Sequence, residues 1–295
     1  MKLEKYAPAL FVLLWSTGFV VARYGTHDAG PFTFLAIRLI LAAAALWVIA
    51  ALTKAPKLER VHVAPTVVVG VCMHALYLGG VFFAVSQGLP SGVSALIAGL
   101  HPVLTSFVGH WVLKERLKPL QWCGIALGVV GVVAVLIDRR NAHSSGITAL
   151  AITAMVVSII GMASGTILQR AKGRAMPLLR GTSLQYVAAS AVMFVLAITN
   201  EHWRFHSTAR VWFSLAWAVV VLSIAAVLIM MVLLSKHAAA RVSSLFFLTP
   251  ALSTIEGAVL FQERLGVLAV LGLAVALGGV WLTMRTPESV TPLAK

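Results

Sequence analysis

Ten apolar runs, each long enough to cross a lipid bilayer, make up most of this 295-residue chain. A membrane-spanning helix needs about 20 mostly apolar residues. We predict spans at residues 7–23, 32–53, 64–86, 93–113, 119–137, 147–170, 178–199, 212–235, 241–261 and 266–284. The gaps between these runs are short, and the longest, 200–211, has no room for a folded domain. The sequence therefore predicts an all-α polytopic membrane protein with one membrane domain.

Composition excludes the other protein classes. The chain is 60% hydrophobic and 11% charged, whereas a soluble domain carries about 25% charged residues. Its two cysteines, Cys72 and Cys123, lie inside apolar runs and do not form a disulfide framework. The net charge of +14 is spread over the segments between the runs, not gathered on a patch with aromatic residues. The lipid bilayer is therefore an expected partner, and nucleic acid is not.

Lysine and arginine concentrate in alternate connecting segments. If the N-terminus is inside, 16 of them lie in cytoplasmic segments. The five on the outer side are Arg139, Arg140, Arg204, Arg210 and Arg264. Short cytoplasmic segments of membrane proteins carry an excess of cations. We therefore predict that both the N- and the C-terminus are cytoplasmic.

The second half of the chain repeats the first at an offset of 148 residues. Residues that coincide under this shift include Pro102 and Pro250, Glu115-Arg116-Leu117 and Glu263-Arg264-Leu265, and Gly124 and Gly272. We predict two repeats of five helices, 1–143 and 144–295. Because five is an odd number, the second repeat is inverted relative to the first. Inverted repeats place a site near the midplane and permit two oppositely open states, which indicates a transporter.

Two motifs resemble signatures of the EamA-type branch of the drug/metabolite transporter superfamily. The opening motif is Trp15-Ser16-Thr17-Gly18-Phe19 with Arg23, Pro31 and Arg38. The closing motif occurs twice, as Pro102…Glu115-Arg116-Leu117…Gly124 and as Pro250…Glu263-Arg264-Leu265…Gly272. The resemblance covers nearly the whole chain and includes the layout of two five-helix repeats. The chain departs from it at Arg23, where lysine is more common, and in lacking a second-half counterpart of Trp15.

The resemblance implies a carrier for small metabolites, usually an exporter, that works by alternating access in the cell inner (cytoplasmic) membrane. Within the family the chain is most similar to bacterial amino-acid exporters, including those for aromatic amino acids. The expected partner is a small molecule such as an amino acid, with no metal or cofactor. The glycine spacings 124–128 and 161–165 allow close helix approach, so the chain is a monomer with internal packing or a homodimer.

Two other functions compete with a carrier. A channel-like facilitator is one alternative, although channels commonly build their pores from several chains. An intramembrane enzyme is the other. The sequence has no His-Glu-x-x-His motif for a metalloprotease and no glycine pattern around a serine nucleophile. The sequence therefore favours a non-enzymatic carrier.

Polar and aromatic side chains inside the first-half spans are candidates for a substrate cavity. Polar groups at membrane depth are costly unless they face protein or water. Trp15 and Ser16 lie in the first span, His74 and Tyr77 lie one turn apart in the third, and His101 lies in the fourth. We predict that all five line a central cavity, with packing inside the bundle as the alternative for each.

The second half offers a matching set of candidates. Ser158 and Met162 lie one turn apart in the sixth span, Gln185 lies in the seventh, and Phe246, Thr249 and Ser253 lie in the ninth. Together with the first set they are predicted to bind substrate, with the polar groups recognising an amino or carboxyl group. Serine and threonine also hydrogen-bond their own helix backbone, so packing is the favoured interpretation for those three residues.

Four further residues have predicted roles inside the spans. Arg38 and Glu256 are the charged residues deepest in the membrane, which requires an ion pair or a bundle-facing position. Glu256 is a candidate to carry a proton or bind a substrate ammonium, and Arg38 matches the family signature and is assigned a structural role. Pro102 and Pro250 are predicted hinges, because proline removes a helix hydrogen bond and bends the helix. Fixed kinks are the alternative.

Overall fold

The computed structural model describes residues 2–112, 117–141, 148–172, 176–236, 245–246, 248–263 and 266–285. In this part of the chain the secondary structure is helical, apart from one isolated β-bridge between Ala29 and Phe205. Among the described residues, eight helices are long and apolar enough to cross a membrane, and two further apolar helices are shorter. The all-helical, polytopic membrane class is therefore confirmed.

Ten helices follow one another in the described residues. The first five are α1 (Lys2–Asp28), α2 (Pro31–Leu52), α3 (Arg60–Ser86), α4 (Ser91–Ala98 and His101–Val112) and α5 (Pro119–Asn141). The second five are α6 (Ala149–Lys172), α7 (Leu178–Glu201), α8 (Ala209–Ala216, Trp217–Ala225 and Ala226–Lys236), α9 (Leu248–Phe261) and α10 (Val267–Arg285). Their bounds agree with nine predicted spans to within about five residues. In the ninth span, residues 241–244 and 247 lie outside the described residues.

Some predictions fall on residues that the structure does not describe. These are the repeat boundary at 143 and 144, the Glu115-Arg116 and Arg264-Leu265 parts of the repeated motif, and the cations Lys114, Arg174, Arg241 and Lys295. The inverted relation of the two repeats and the cytoplasmic location of both termini stay predictions.

Proline and glycine mark several helix ends. Pro31 and Pro119 occupy the first positions of α2 and α5, where a missing N–H costs no helical hydrogen bond. After α3 ends, Gly88 has a φ of +90°, a conformation that favours glycine. These residues fit the ends of the helices that they begin or follow.

Each helix of the first half packs against a helix of the second half. The pairs are α1–α8, α2–α7, α3–α6, α4–α9 and α5–α10. Ser183 and Ser190 of α7 donate hydrogen bonds to the carbonyls of Ala43 and Ala36 of α2, both at 2.9 Å. Hydroxyl hydrogen bonds of this kind connect helices in lipid. The space between the halves is therefore enclosed on several sides.

Glycines allow the closest helix contacts within the chain. Gly124 and Gly128 of α5 face Gly279 of α10, and Gly161 and Gly165 of α6 face the middle of α3. At both predicted glycine spacings, the glycine-bearing helix therefore packs against another helix of the same chain.

The outward faces of the helices are apolar, and so is the core. Phe34, Leu39 and Leu46 are fully buried, whereas Trp47 and Val259 are 60% and 74% exposed. Helices can span a bilayer because all their backbone groups are satisfied within the helix. The apolar exterior is therefore the surface that contacts lipid.

Candidate functional site

A cavity of about 220 Å³ lies between the two halves of the bundle. Its lining comes from α1, α2 and α3 of the first half, from α6, α7 and α8 of the second, and from Phe246 just before α9. Pockets for drug-sized ligands occupy roughly 300–1,000 Å³. The cavity is smaller than these and suits a single small metabolite.

Two aromatic side chains from opposite halves form one side of the cavity. The rings of Trp15 and Phe246 are perpendicular, with their centroids 5.2 Å apart. Fully buried Phe11 packs against both, at 5.3 Å and 5.2 Å. Edge-to-face contacts of this kind are favourable and orient the rings. We call Trp15 and Phe246 the aromatic wall.

A group of polar side chains lines another part of the same cavity. Nε2 of His74 donates to Oε1 of Gln185 at 3.2 Å, and the His74 ring meets the Tyr186 ring edge-on with a centroid separation of 4.7 Å. Arg38 lies close by and donates from Nε to Oγ of Ser223 at 3.1 Å. We call Arg38, His74, Gln185 and Tyr186 the polar cluster. The cavity therefore has an apolar and a polar side.

Two π-helical stretches supply side chains to this site. Val71–Leu76 of α3 carries His74, and Trp217–Ala225 of α8 carries Leu222, which lines the cavity, and Ser223, which holds Arg38. A π-helical turn inserts an extra residue into the helix and occurs frequently at functional sites.

The cavity collects about half of the residues predicted to bind substrate. Trp15, His74, Tyr77, Met162 and Phe246 all line it. They come from four separate segments of the chain and from both halves. Arg38, which was assigned a structural role, lines the cavity as well.

The predicted serines lie between helices and do not line the cavity. Ser158 donates to the carbonyl of Tyr77, and Ser253 donates to the carbonyl of Ser16, both at 2.9 Å. Ser16 donates to the carbonyl of Leu13 and to Oε1 of Glu256. All three serines are fully buried. Their hydrogen bonds join α6 to α3 and α9 to α1.

His101 and Thr249 lie next to Phe246 of the aromatic wall but outside the cavity lining. Nδ1 of His101 donates to the carbonyl of Ala98 at 3.1 Å. In an uninterrupted helix that carbonyl would accept from residue 102, but Pro102 has no N–H. The His101 ring centroid is 6.2 Å from that of Phe246, and His101 itself is not part of the lining. The Thr249 hydroxyl is buried and has no hydrogen-bond partner among the described residues.

Glu256 also lies apart from the cavity, at the contact between α9 and α1. Its Oε1 accepts from Ser16, and its Oε2 is buried without a hydrogen-bond partner in the part of the chain that the structure describes. Glu256 does not belong to the cavity lining.

The two predicted hinge prolines lie near each other in the first turns of helical segments. Pro102 is the second residue of the second segment of α4, and Pro250 is the third residue of α9. The interruption of α4 falls at Gly99 and Leu100. A Cβ atom on Gly99 would lie 2.8 Å from Cγ of Pro250, so glycine permits this approach.

Two residues of the site were not predicted. Tyr186 belongs to the polar cluster, and Ser223 holds Arg38. The internal repeat contained a signal for Tyr186, because the shift of 148 residues superposes Arg38 on it. No comparable signal marks Ser223, one of several serines in apolar runs.

Carboxylates bind helix N-termini at one end of the bundle. Glu201, at the end of α7, accepts from the backbone N–H groups of Phe32 (2.9 Å) and Thr33 (2.8 Å) at the start of α2. Glu263, after α9, accepts from the N–H of Ser91 at the start of α4 and pairs with Arg23 of α1. The positive end of the helix dipole favours such contacts. We call Glu201 and Glu263 the carboxylate caps.

Two aspartates add connections at this end. Asp138 accepts from the N–H of Gly266 before α10, and Asp28 pairs with Arg210 of α8. At the other end of the bundle, the cavity lining reaches Gln169, near the end of α6, and Leu178, the first residue of α7. Leu178 is 48% exposed. The cavity therefore extends to the end without the carboxylate caps.

A lipid-facing helical bundle with an amphipathic cavity between its halves defines a class of integral membrane protein that takes a small molecule into its interior. The EamA-like transporter family model matches residues 7–137 and again residues 149–285. The chain therefore belongs to the EamA-like transporter family. It is a multi-pass membrane protein of this transporter family.

Named relatives agree with this class, and a solved structure shares the fold. A probable amino-acid metabolite efflux pump of Salmonella typhimurium is 24% identical over 95% of this chain and 94% of its own length. A protein of the same description in Escherichia coli K12 is 23% identical over 93% and 92%. The Escherichia coli uncharacterized inner membrane transporter YedA is 30% identical over 42% of this chain and 41% of its own. A crystal structure with 18% identity matches 96% of both chains with a TM-score of 0.66.

Proposed function

We propose that this chain is a carrier that exports small metabolites, including amino acids with aromatic side chains, by alternating access through the cavity. The observation that carries the proposal is the amphipathic lining, with the aromatic wall and the polar cluster in one small space. An amino acid has the same division between an apolar side chain and charged main-chain groups. The relatives described as probable amino-acid metabolite efflux pumps support the same substrate class.

The two halves of the carrier, 1–143 and 144–295, act as inverted repeats in this proposal. Inverted repeats are related by a twofold axis, which exchanges each helix with its counterpart five helices along the chain. This exchange leaves the pairs α2–α7, α4–α9 and α5–α10 unchanged. It also converts α1–α8 into α6–α3, which is another pair in this bundle. The π-helical stretches support the same relation, because a shift of 148 residues moves 71–76 to 219–224, inside Trp217–Ala225.

The cavity opens towards the cytoplasm in the proposed orientation. The excess of cations in alternate segments assigns the end near Leu178 to the cytoplasm and the carboxylate caps to the outer side. An exporter must take up its substrate from the cytoplasm, so this state is the loading state. Release then requires the contacts of Glu201 and Glu263 to rearrange at the outer end.

The fourth and ninth helices supply the proposed movement. Pro102 and Pro250 lie in the first turns of two helical segments, and Pro250 makes the close contact with Gly99, just before Pro102. Bending at one of these places would change the separation of the halves on the cytoplasmic side, and bending at the other would change it on the outer side. Hinges are a few positions that absorb a change in backbone angle between rigid segments.

Counterflow in proteoliposomes tests the carrier mechanism. Purified protein is reconstituted with unlabelled phenylalanine inside, and uptake of labelled phenylalanine is measured against protein-free liposomes. We expect saturable uptake that internal phenylalanine stimulates, because a carrier returns faster when it is loaded. Uptake that rises linearly with concentration and is indifferent to internal substrate would refute a carrier and favour a channel-like facilitator.

A further inference from the structure

Arg38 is a buried cation in the wall of the cavity. Its residue exposure is 6%, and it lies on α2 within the polar cluster. Its Nε donates to Oγ of Ser223 at 3.1 Å, and its Cζ lies 5.8 Å from the centre of the Phe82 ring. These contacts fix the guanidinium plane from one side and leave the two Nη nitrogens for other partners.

The protein does not neutralise this charge with an acid of its own in the described part of the chain. Within those residues, Arg38 has no salt bridge, and its Nη nitrogens have no hydrogen-bond partner. Asp28, Glu201 and Glu263 are bound at the end of the bundle, and Glu256 lies outside the cavity lining. A buried charge without a partner costs several kcal/mol. The arrangement therefore calls for an anion that comes from outside the protein.

We propose that Arg38 binds the carboxylate of the transported molecule through its two Nη nitrogens, an inference that rests on the proposed carrier function. The planar guanidinium matches a carboxylate with two parallel hydrogen bonds. His74, Gln185 and Tyr186 surround the same part of the cavity. This gives Arg38 a role in substrate recognition instead of the structural role predicted from the sequence.

The charge of the lining selects a carboxylate over a phosphate. Among the described lining residues, Arg38 is the one arginine or lysine. A phosphomonoester carries a charge of about −1.5 to −2, so a single arginine would leave part of it unbalanced in a cavity of about 220 Å³. A carboxylate carries a single negative charge, and one guanidinium balances it.

The apolar lining completes the specificity. The aromatic wall is available for an aromatic or branched side chain, and Met73, Met162 and Met230 also line the cavity. Methionine side chains are flexible and adapt to different apolar shapes. Arg38 is therefore expected to require the carboxylate, while the remainder of the cavity accepts several side chains.

Competitive binding to the purified protein in detergent tests this assignment without requiring transport. The probes are labelled phenylalanine, with 3-phenylpropionate, which lacks the amine, and phenethylamine, which lacks the carboxylate, as competitors. We expect 3-phenylpropionate to compete well and phenethylamine to compete poorly. In Arg38→Gln, carboxylate ligands should bind about 10- to 100-fold more weakly, as expected for loss of a charged hydrogen-bonding partner, and Arg38→Lys should retain part of the affinity.

Arg180→Gln is the matched control. Arg180 also donates from Nε, to the carbonyl of Ala55 at 3.1 Å, but it does not line the cavity. This variant should retain the preference for carboxylates. The proposal is overturned if phenethylamine competes as well as 3-phenylpropionate with the unmodified protein, or if Arg38→Gln keeps that preference. Because binding is measured apart from flux, carboxylate-selective binding without counterflow would refute the carrier and support the role of Arg38.

Discussion

Replacement of Glu201 should destabilise the bundle by removing the acceptor for the first N–H groups of α2. Pro31 has no N–H, and Phe34 donates to the carbonyl of Gly30 at 2.9 Å. Two N–H groups therefore remain at this terminus, on Phe32 and Thr33, and both donate to Glu201. Each buried donor left without a partner costs about 1–3 kcal/mol. Since water can reach part of this helix end, we expect Glu201→Ala to lower the free energy of unfolding by about 2–4 kcal/mol.

Unfolding in mixed micelles with an increasing fraction of SDS measures this loss. The two N–H groups bind different oxygens of Glu201. Glu201→Gln keeps one acceptor oxygen and leaves one N–H without an acceptor, so it should cost about 1–3 kcal/mol. Glu59→Ala is the matched control, because Glu59 precedes α3 without a side-chain hydrogen bond to the helix and should cost less than about 0.5 kcal/mol. If Glu201→Ala is no less stable than Glu59→Ala, the capping argument is wrong.

Three further predictions concern orientation, movement and recognition. Single cysteines placed in 54–63 and in 200–211 should react with impermeant reagents from opposite sides of the membrane, and labelling of both from outside would contradict the inverted arrangement. Pro102→Ala and Pro250→Ala should alter cysteine accessibility of the cavity from opposite sides with substrate affinity largely kept, whereas weaker binding from both sides in both variants would indicate fixed kinks. His74→Ala should raise the substrate concentration needed for half-maximal counterflow at normal membrane expression, because the ring lines the cavity; unchanged counterflow would assign His74 to packing.

The helices could be predicted from the sequence because lipid imposes a simple requirement on them. A segment must supply about 20 apolar residues and satisfy its own backbone, so each span is recognisable locally. The interruption of α4 illustrates the limit. Pro102 marks a helix start, but the break falls at Gly99 and Leu100, where Pro250 of the other half approaches. That position depends on tertiary packing.

The sequence could predict site residues only where a residue type is unusual at its position in a span. A tryptophan or histidine in mid-span is unusual enough to select Trp15 and His74, and both line the cavity. Serine has no such signal, because a hydroxyl can hydrogen-bond a neighbouring helix as Ser158 does. The role of Arg38 could be inferred only from the structure, because the described residues bring no acidic side chain to it, and this depends on distant parts of the chain.

The carboxylate caps have a consequence for how the chain matures during synthesis. The N–H groups at the start of α2 are bound by a carboxylate 168 and 169 residues later, and those at the start of α4 by one 171 and 172 residues later. At a translation rate of roughly 5–20 residues per second, α2 would wait roughly 10–30 seconds in the membrane before its acceptor exists. The first five helices therefore cannot reach their final stability while the ribosome is still completing the second half.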